Sequence, residues 1–483
     1  MDLFNLILSL TPFFIFSILL IFFRKASLFL ISFITLIVTA FIAIVFWQSS
    51  FSLFLLSFTK GSQVALDILY IIFGALLFLS LLKKINITEN LAYHLNNFSS
   101  DFRIQVIILA WFLENFLEGI AGFGTPAMIV APILVSLGIS PLKSIVISLL
   151  GNSIAVSFGA VGTPIRIGFA GINLDFVSIG INSAFYGLVG LIVPVFMLFV
   201  LVSHLQNKKD LFLQGVPFAL WSGFAFVIPV YFISFLGIEF PSILGSIIGL
   251  ILVLLTIKLR LFVPKEVHKN PKALITPSIL LNLKHIIFPY SLFILLLILA
   301  KIFLTQFNLF NPGFVFIITS LIIAVIYKIN FNNLFLFSKT ALTKTLEPFL
   351  VIFCMSSMVQ IMNNSGITTA ISQIFKSPAL IFISPFVGAY GAFITGSATV
   401  SNIMFGSAIF ESSIFMSLNP INILALLATG AGIGNMVAIA DVLSAKTVTD
   451  SRESISSIIF ALLPYCLFYL TLVGLFGLIT STT

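Results

Sequence analysis

IQVIILAWFLENFLEGIAGFGTPAMIVAPILVSLG, residues 104 to 138, is as apolar as a membrane helix yet carries Glu114, Glu118, Gly119, Gly122, Gly124 and Pro126 through its middle. Crossing a bilayer as helix takes about 20 apolar residues, and each apolar piece here is too short to cross comfortably. Backbone that leaves the helix at membrane depth is tolerated only where it faces protein or water. The stretch therefore reads as a re-entrant helical hairpin whose tip is Gly-Phe-Gly-Thr-Pro, residues 122 to 126. Residues 378 to 412 have the same design, with small polar residues from Thr395 to Asn402 at the tip.

The rest of the chain has a matching character. Of its 483 residues 60% are hydrophobic and only 8% charged, with mean hydropathy +1.23, which places it among polytopic membrane proteins. Single spans read at 3–23, 27–47, 62–82, 142–158, 176–203, 214–236, 240–262, 286–304, 313–329, 340–363, 419–438 and 453–478, about 12 in all. The start lacks the basic region and cleavage site of a signal peptide, so 3–23 is expected to be a permanent helix. A re-entrant hairpin returns the chain to the face it left. With that parity, all of the 23 Lys and Arg residues share one face except Lys60, Arg166, Lys301 and Lys376. The positive-inside rule makes that face cytoplasmic and leaves both termini outside. The formal charge of +8 is thereby explained by topology, without a nucleic-acid partner. Cys354 and Cys466 lie in apolar runs, and the four histidines form no metal-ligand spacing, so neither a cofactor nor a metal is expected. The longest polar stretch, about 263 to 285, is too short for a catalytic domain, and no enzyme is expected.

The chain repeats itself at long range. A helix, a short amphipathic piece, a hairpin, a Pro-started segment and a long helix occur once in 62–203 and again in 340–483. Ser140-Pro141 followed by Gly151 matches Asn419-Pro420 followed by Gly430, an N-cap residue and N1 proline with glycine at equal spacing. Gly151-Asn152 and Gly434-Asn435 then loosen each segment. An odd number of spans separates the copies, so they are expected to be inverted. The expected organisation is 1–61 as N-terminal scaffold helices, 62–203 as the first repeat, 204–339 as connecting scaffold and 340–483 as the second repeat. Inverted repeats with interrupted helices belong to secondary transporters, whose sites lie where half-helix ends meet.

Glycines at a tip let the following half-helix begin with free N–H groups at its positive dipole end, which can hold a carboxylate. The hydroxyls and amide of the second tip can donate to an anion without burying permanent charge, although small residues also serve simply to pack helices. Glu114 and Glu118 lie one helical turn apart. A carboxyl in apolar surroundings can hold a proton at neutral pH, making Glu118, nearest the tip, the first candidate for proton coupling and Glu114 the second. Asp441 is a further candidate, with Lys446 as its partner in a helix-end ion pair as the plainer alternative. Arg166 reads either as an anion clamp or as an interfacial, snorkelling side chain.

LEGIAGFGTPAMIVAPILVSLG, GNSIAVSFGAVGTPI and TGSATVSNIMFG resemble, in order and over most of the chain, the lactate permease family of bacterial lactate and glycolate transporters. The resemblance implies proton symport, a mobile transport domain carrying both hairpins (104–158 with 378–438), and a scaffold. It places family signatures on Glu118, Gly122, Phe123, Gly124, Thr125 and Pro126, on Gly151, Asn152, Gly162 and Pro164, and on Thr395, Gly396, Ser397, Thr399, Ser401 and Asn402. The substrate-binding set expected from tips and signatures together is Gly122, Phe123, Gly124, Thr125, Asn152, Thr395, Gly396, Ser397, Thr399, Ser401 and Asn402. The chain departs from the family after Met436, where Val437-Ala438-Ile439-Ala440 and Asp441 replace a polar run. The expectation is an all-α inner-membrane symporter of L-lactate, glycolate or D-lactate with a proton, with the lipid bilayer around it. A sodium-coupled carboxylate carrier and a cation/proton antiporter are the alternatives, and assembly as a homodimer is left open.

Overall fold

In the computed structural model, residues 3–22, 27–122, 124–268, 277, 279–304, 311–372, 377 and 379–481 are described; Phe123 is outside them. The described residues form helices joined by turns and loops, without strands. Among the described residues nine helices are long and apolar enough to cross a membrane, or ten if the pair Pro141–Asn152 and Ala155–Arg166, bent by 55° at its break, is counted as one span. The remaining two of the segments read from hydropathy are the shorter apolar helices Ile7–Leu20 and Pro312–Ile326.

Two helices are longer than hydropathy suggested. The helix read from 62 begins at Phe51 and runs to Lys84, and the helix read from 340 covers Phe331–Ser365. Boundaries at 61/62 and 339/340 thus fall inside single helices. Exposed polar residues, Lys60 in one and Lys339 and Lys344 in the other, lower the hydropathy without breaking the hydrogen-bond ladder. These two helices pack against each other, closely enough at Gly61 that an added Cβ would come within 2.8 Å of Ser357 N.

Each hairpin is two helices joined by a tight tip. The first arm runs from Phe102 to Ile120 with a π-turn at Ile108–Leu113, and every residue from Arg103 to Ile120 is buried. The side chain of Asn115 serves two carbonyls, donating to Trp111 O at 2.6 Å and Gly151 O at 3.0 Å. The second arm is Thr125–Ser136. The base is fastened by Arg103, which pairs with Asp101 at 2.7 Å and donates to Leu211 O and Glu266 O. Removing one partner of such a buried pair costs about 3–5 kcal/mol. The second hairpin is Leu380–Thr395 and Ala398–Phe415. Its turn is only Gly396-Ser397, because Ser397 Oγ accepts from Val400 N at 3.3 Å and starts the next helix at once.

Both Pro-started segments break at their Gly-Asn pairs. Pro141–Asn152 gives way to a 3₁₀ turn at Ala155–Phe158, and Pro420–Gly434 to one at Asn435–Val437. The segment read as a span of 142–158 therefore continues to Arg166, and that read as 419–438 continues into Ile439–Val448.

Candidate functional site

Both tips and both broken helices converge on one cavity of about 30 Å³. It is lined by Glu118 and Gly122 from the first hairpin, Gly396 to Thr399 from the second, Val156 and four residues between Gly159 and Pro164 from the first broken helix, and Asn435 from the other. The tip glycines are needed here. Gly122, Gly124 and Gly396 have φ of +57°, +71° and +69°, which side chains on L-residues disfavour. Ala160, Val161 and Gly162 form a further left-handed run, φ 41°, 54° and 80°, that turns the chain around the cavity wall.

The two carboxylates nearest the tips are held alike. Asn152 Nδ2 donates to Glu118 Oε2 at 3.0 Å, and Asn435 Nδ2 donates to Asp441 Oδ2. Each carboxylate also fills the space above a glycine: Glu118 Oε1 lies where a Cβ on Gly159 would be, and Asp441 Oδ1 where one on Gly124 would be. Asn152 Oδ1 and Asn435 Oδ1 are buried without a hydrogen-bond partner among the described residues. Glu118 is the one ionisable side chain among the described residues lining the cavity.

Of the expected site residues, Glu118, Gly122, Gly396, Ser397 and Thr399 line the cavity. The rest surround it. Thr125 Oγ1 donates to Gly122 O at 2.9 Å, Thr395 Oγ1 to Gly391 O at 2.8 Å and Ser401 Oγ to Gly388 O at 2.7 Å, so these hydroxyls secure the tips. Asn402 Nδ2 donates to Pro164 O at 3.0 Å. Gly124 lies against Asp441, and Asn152 is bonded to Glu118. Glu114 is fully buried and takes a 2.6 Å bond from Ser148 Oγ, away from the cavity. Phe123 lies outside the described residues.

Two expectations are corrected. Among the described residues Asp441 forms no helix-end ion pair with Lys446. Beyond the 3₁₀ turn at 435–437 the helix resumes at Ile439, and there Asp441 is 5% exposed and bonded to Asn435. Arg166 is not a free clamp: it pairs with Glu239, which is 0% exposed and also bonded by Lys301 at 3.0 Å. Asp67, midway along Phe51–Lys84, is within Coulombic reach of the same guanidinium and escaped the sequence reading.

Thr163 and Asn435 were missed as cavity residues, although a signal exists for the first. Gly124-Thr125-Pro126 recurs as Gly162-Thr163-Pro164, and Thr163 Oγ1 donates to Ala160 O at 2.6 Å just as Thr125 does to Gly122 O. One three-residue device starts a helix at two sides of the cavity.

A small cavity at the meeting of interrupted helices, within a polytopic helical fold, is the arrangement of a membrane transporter. A family model described as L-lactate permease matches residues 5–310 and 300–482, and the chain belongs to that family. It is 28% identical over 444 residues to a putative L-lactate permease of Haemophilus influenzae, covering 80% of this chain and 82% of that one. It is 29% identical over 421 residues to an L-lactate permease of Streptococcus iniae, covering 80% and 86%. The glycolate permease GlcA of Escherichia coli is 26% identical over 451 residues, 79% of each chain. The crystal structure of the Alcanivorax borkumensis YdaH transporter aligns with 76% of this chain and 86% of that one at 13% identity and a TM-score of 0.36, a likeness too slight to carry topology across.

Proposed function

We propose that this permease is a symporter of L-lactate and related 2-hydroxymonocarboxylates, glycolate and D-lactate among them, with a proton in the bacterial cytoplasmic membrane. The observation that carries this reading is the cavity: its one described ionisable group, Glu118, stands beside the N-terminal turn of Ala398–Phe415. The first-turn N–H groups of Ala398 and Thr399 at the positive dipole end suit a carboxylate, and Ser397 and Thr399 suit a 2-hydroxyl. No basic side chain is among the described lining residues, so nothing there neutralises a substrate anion and an ionised Glu118 together. Two such charges about 4 Å apart repel by about 4 kcal/mol at an effective dielectric of about 20. A proton on Glu118 removes that cost. Substrate binding and proton binding then favour one another reciprocally.

A cavity of about 30 Å³ holds a water or two but no three-carbon acid, so binding requires the tips to part. The family reading assigns that motion to 104–158 with 378–438 moving against the remaining helices, with the repeats inverted and both termini outside. Purified protein in vesicles should accumulate L-lactate under an inward proton gradient with sodium absent. Accumulation that needs a sodium gradient, or cation efflux coupled to proton entry without lactate, would replace this reading by one of its alternatives.

Orientation has its own test. The described parts of the loop 263–285 are fastened at two points: Phe102 N, at the base of the first hairpin, donates to His268 O at 3.0 Å, and Leu281 N donates to Asn90 Oδ1, on the helix Ile87–Asn96, at 2.8 Å. Single cysteines at Val267 or Ile279, both exposed, in a variant lacking Cys354 and Cys466, should resist an impermeant thiol reagent in intact cells and react after lysis. Labelling from outside would reverse the assignment.

A further inference from the structure

Away from the tips, an apolar recess of about 390 Å³ opens between the first hairpin, the short helix Ile87–Asn96 and the spanning helices Pro241–Lys258 and Leu283–Leu304. Phe112 and Phe116 line it from the hairpin. Ile251 and Ile287 line it from the spanning helices and are 52% and 47% exposed, so the recess is open on the side those helices turn to the bilayer. Two of its few polar members are already bonded: His94 Nε2 lies 3.0 Å from Leu281 O, and Ser246 Oγ donates to Ser242 O at 2.5 Å. Water leaves such apolar space empty; inside a bilayer, hydrocarbon fills it.

Length and charge say what kind of hydrocarbon. Along one wall the lining runs from Leu283 to Ile294, a rise of about 16 Å, close to the roughly 15 Å that one leaflet contributes to the hydrocarbon core. The end at Leu254 and Leu283 is basic. Lys258 follows Leu250 and Leu254 at helical spacing and shares their face, Lys284 adjoins Leu283, and both lysines are exposed. No acidic side chain is among the described lining residues. The positive-inside rule puts this end on the cytoplasmic face, where anionic lipid headgroups bind basic clusters between membrane helices.

We propose that the recess holds one acyl chain of an anionic phospholipid, with its headgroup at Lys258 and Lys284. The chain supplies the filling and the lysines choose the headgroup: a lipid without net charge fills the recess equally well but gains less from them. The leaflet follows from the sidedness read above, whereas the chemistry of the ligand does not depend on it. Because Phe116 belongs to Glu114–Ile120, the bound chain lies against the hairpin arm that carries Glu118.

The test takes the full-length protein from vesicles holding equal phosphatidylglycerol and phosphatidylcholine with the same acyl chains. Retained lipid is read by mass spectrometry of the intact protein released from detergent. Wild type should retain one lipid, with phosphatidylglycerol preferred by about fivefold for each lysine. Lys258→Gln with Lys284→Gln should hold the two lipids about equally. Lys208→Gln with Lys209→Gln, an exposed pair at the start of Lys208–Ser234, should behave as wild type. Ser291→Trp, which fills the recess from an exposed position, should hold neither lipid. Four results each overturn the proposal: no headgroup preference in wild type, a preference that survives loss of Lys258 and Lys284, a preference lost equally with Lys208 and Lys209, and a lipid still held by Ser291→Trp. Should Ser291→Trp fail to insert, the two lysine pairs decide alone. Wild type that holds no lipid overturns the proposal too, and a dimeric mass then gives the recess to a second copy of the chain.

Discussion

Vesicles containing Glu118→Gln should exchange internal for external L-lactate yet fail to concentrate it under an inward proton gradient. Glutamine keeps the size and neutrality of the protonated carboxyl, and its carbonyl can still accept from Asn152 Nδ2, which lies 3.0 Å from Glu118 Oε2. It cannot release a proton. For one proton per lactate, a gradient of one pH unit supplies about 1.4 kcal/mol, about tenfold accumulation. The variant should fall to no accumulation while exchange continues. A glutamate needed only for packing would lose binding, exchange and uptake together, or none of them. Concentrative uptake at the wild-type rate would exclude Glu118 as the coupling group and direct attention to Asp441, the other carboxylate that an asparagine holds beside a tip.

Gly124→Leu and Ser397→Leu should each abolish uptake while inserted protein stays abundant. Gly124 is left-handed at φ +71°, and its missing Cβ makes room for Asp441 Oδ1. A leucine there meets backbone strain of about 1–2 kcal/mol and displaces a buried carboxylate. Leucine at 397 removes the oxygen that accepts from Val400 N, a cap worth about 1 kcal/mol, and puts an isobutyl group at a cavity that holds little more than a water. Neither local cost should unfold a chain anchored by so many buried helices, so uptake should fall about 100-fold or more while the local cost stays within a few kcal/mol. Uptake per inserted molecule and lactate binding by calorimetry decide it. Binding of lactate by both variants equal to wild type would remove the tips from the site.

Much of the architecture was legible because hydropathy and its interruptions have different causes. Glycines and a proline inside an apolar run marked the first hairpin, small polar residues the second, and the Gly-Asn pairs both broken helices, since an unsatisfied backbone at membrane depth needs a compensating partner. Helix ends were less legible: the ladder through Lys60 and Gly61 continues although the hydropathy falls. Partners across the chain were least legible. Lys446 lies five residues from Asp441 and carries the right charge, whereas Asn435 lies six residues away and becomes the partner only through a 3₁₀ turn. Arg166 found Glu239, 73 residues distant, and no local pattern could name it. Ala160 and Val161 resemble ordinary helix interior, yet both are left-handed, because the wall they build must turn sharply behind Glu118.

The two carboxylates that rest over glycines bear on how this permease can change. Glu118 fills the volume denied to a side chain at position 159, and Asp441 does the same for position 124. Neither member of a pair is then free to drift alone: a methyl group gained at 159 or 124 collides unless the acid opposite shortens, and a shortened acid leaves a void that the glycine cannot fill. Among descendants of this sequence, 118 with 159 and 124 with 441 should therefore be replaced in step, each pair inherited as one unit.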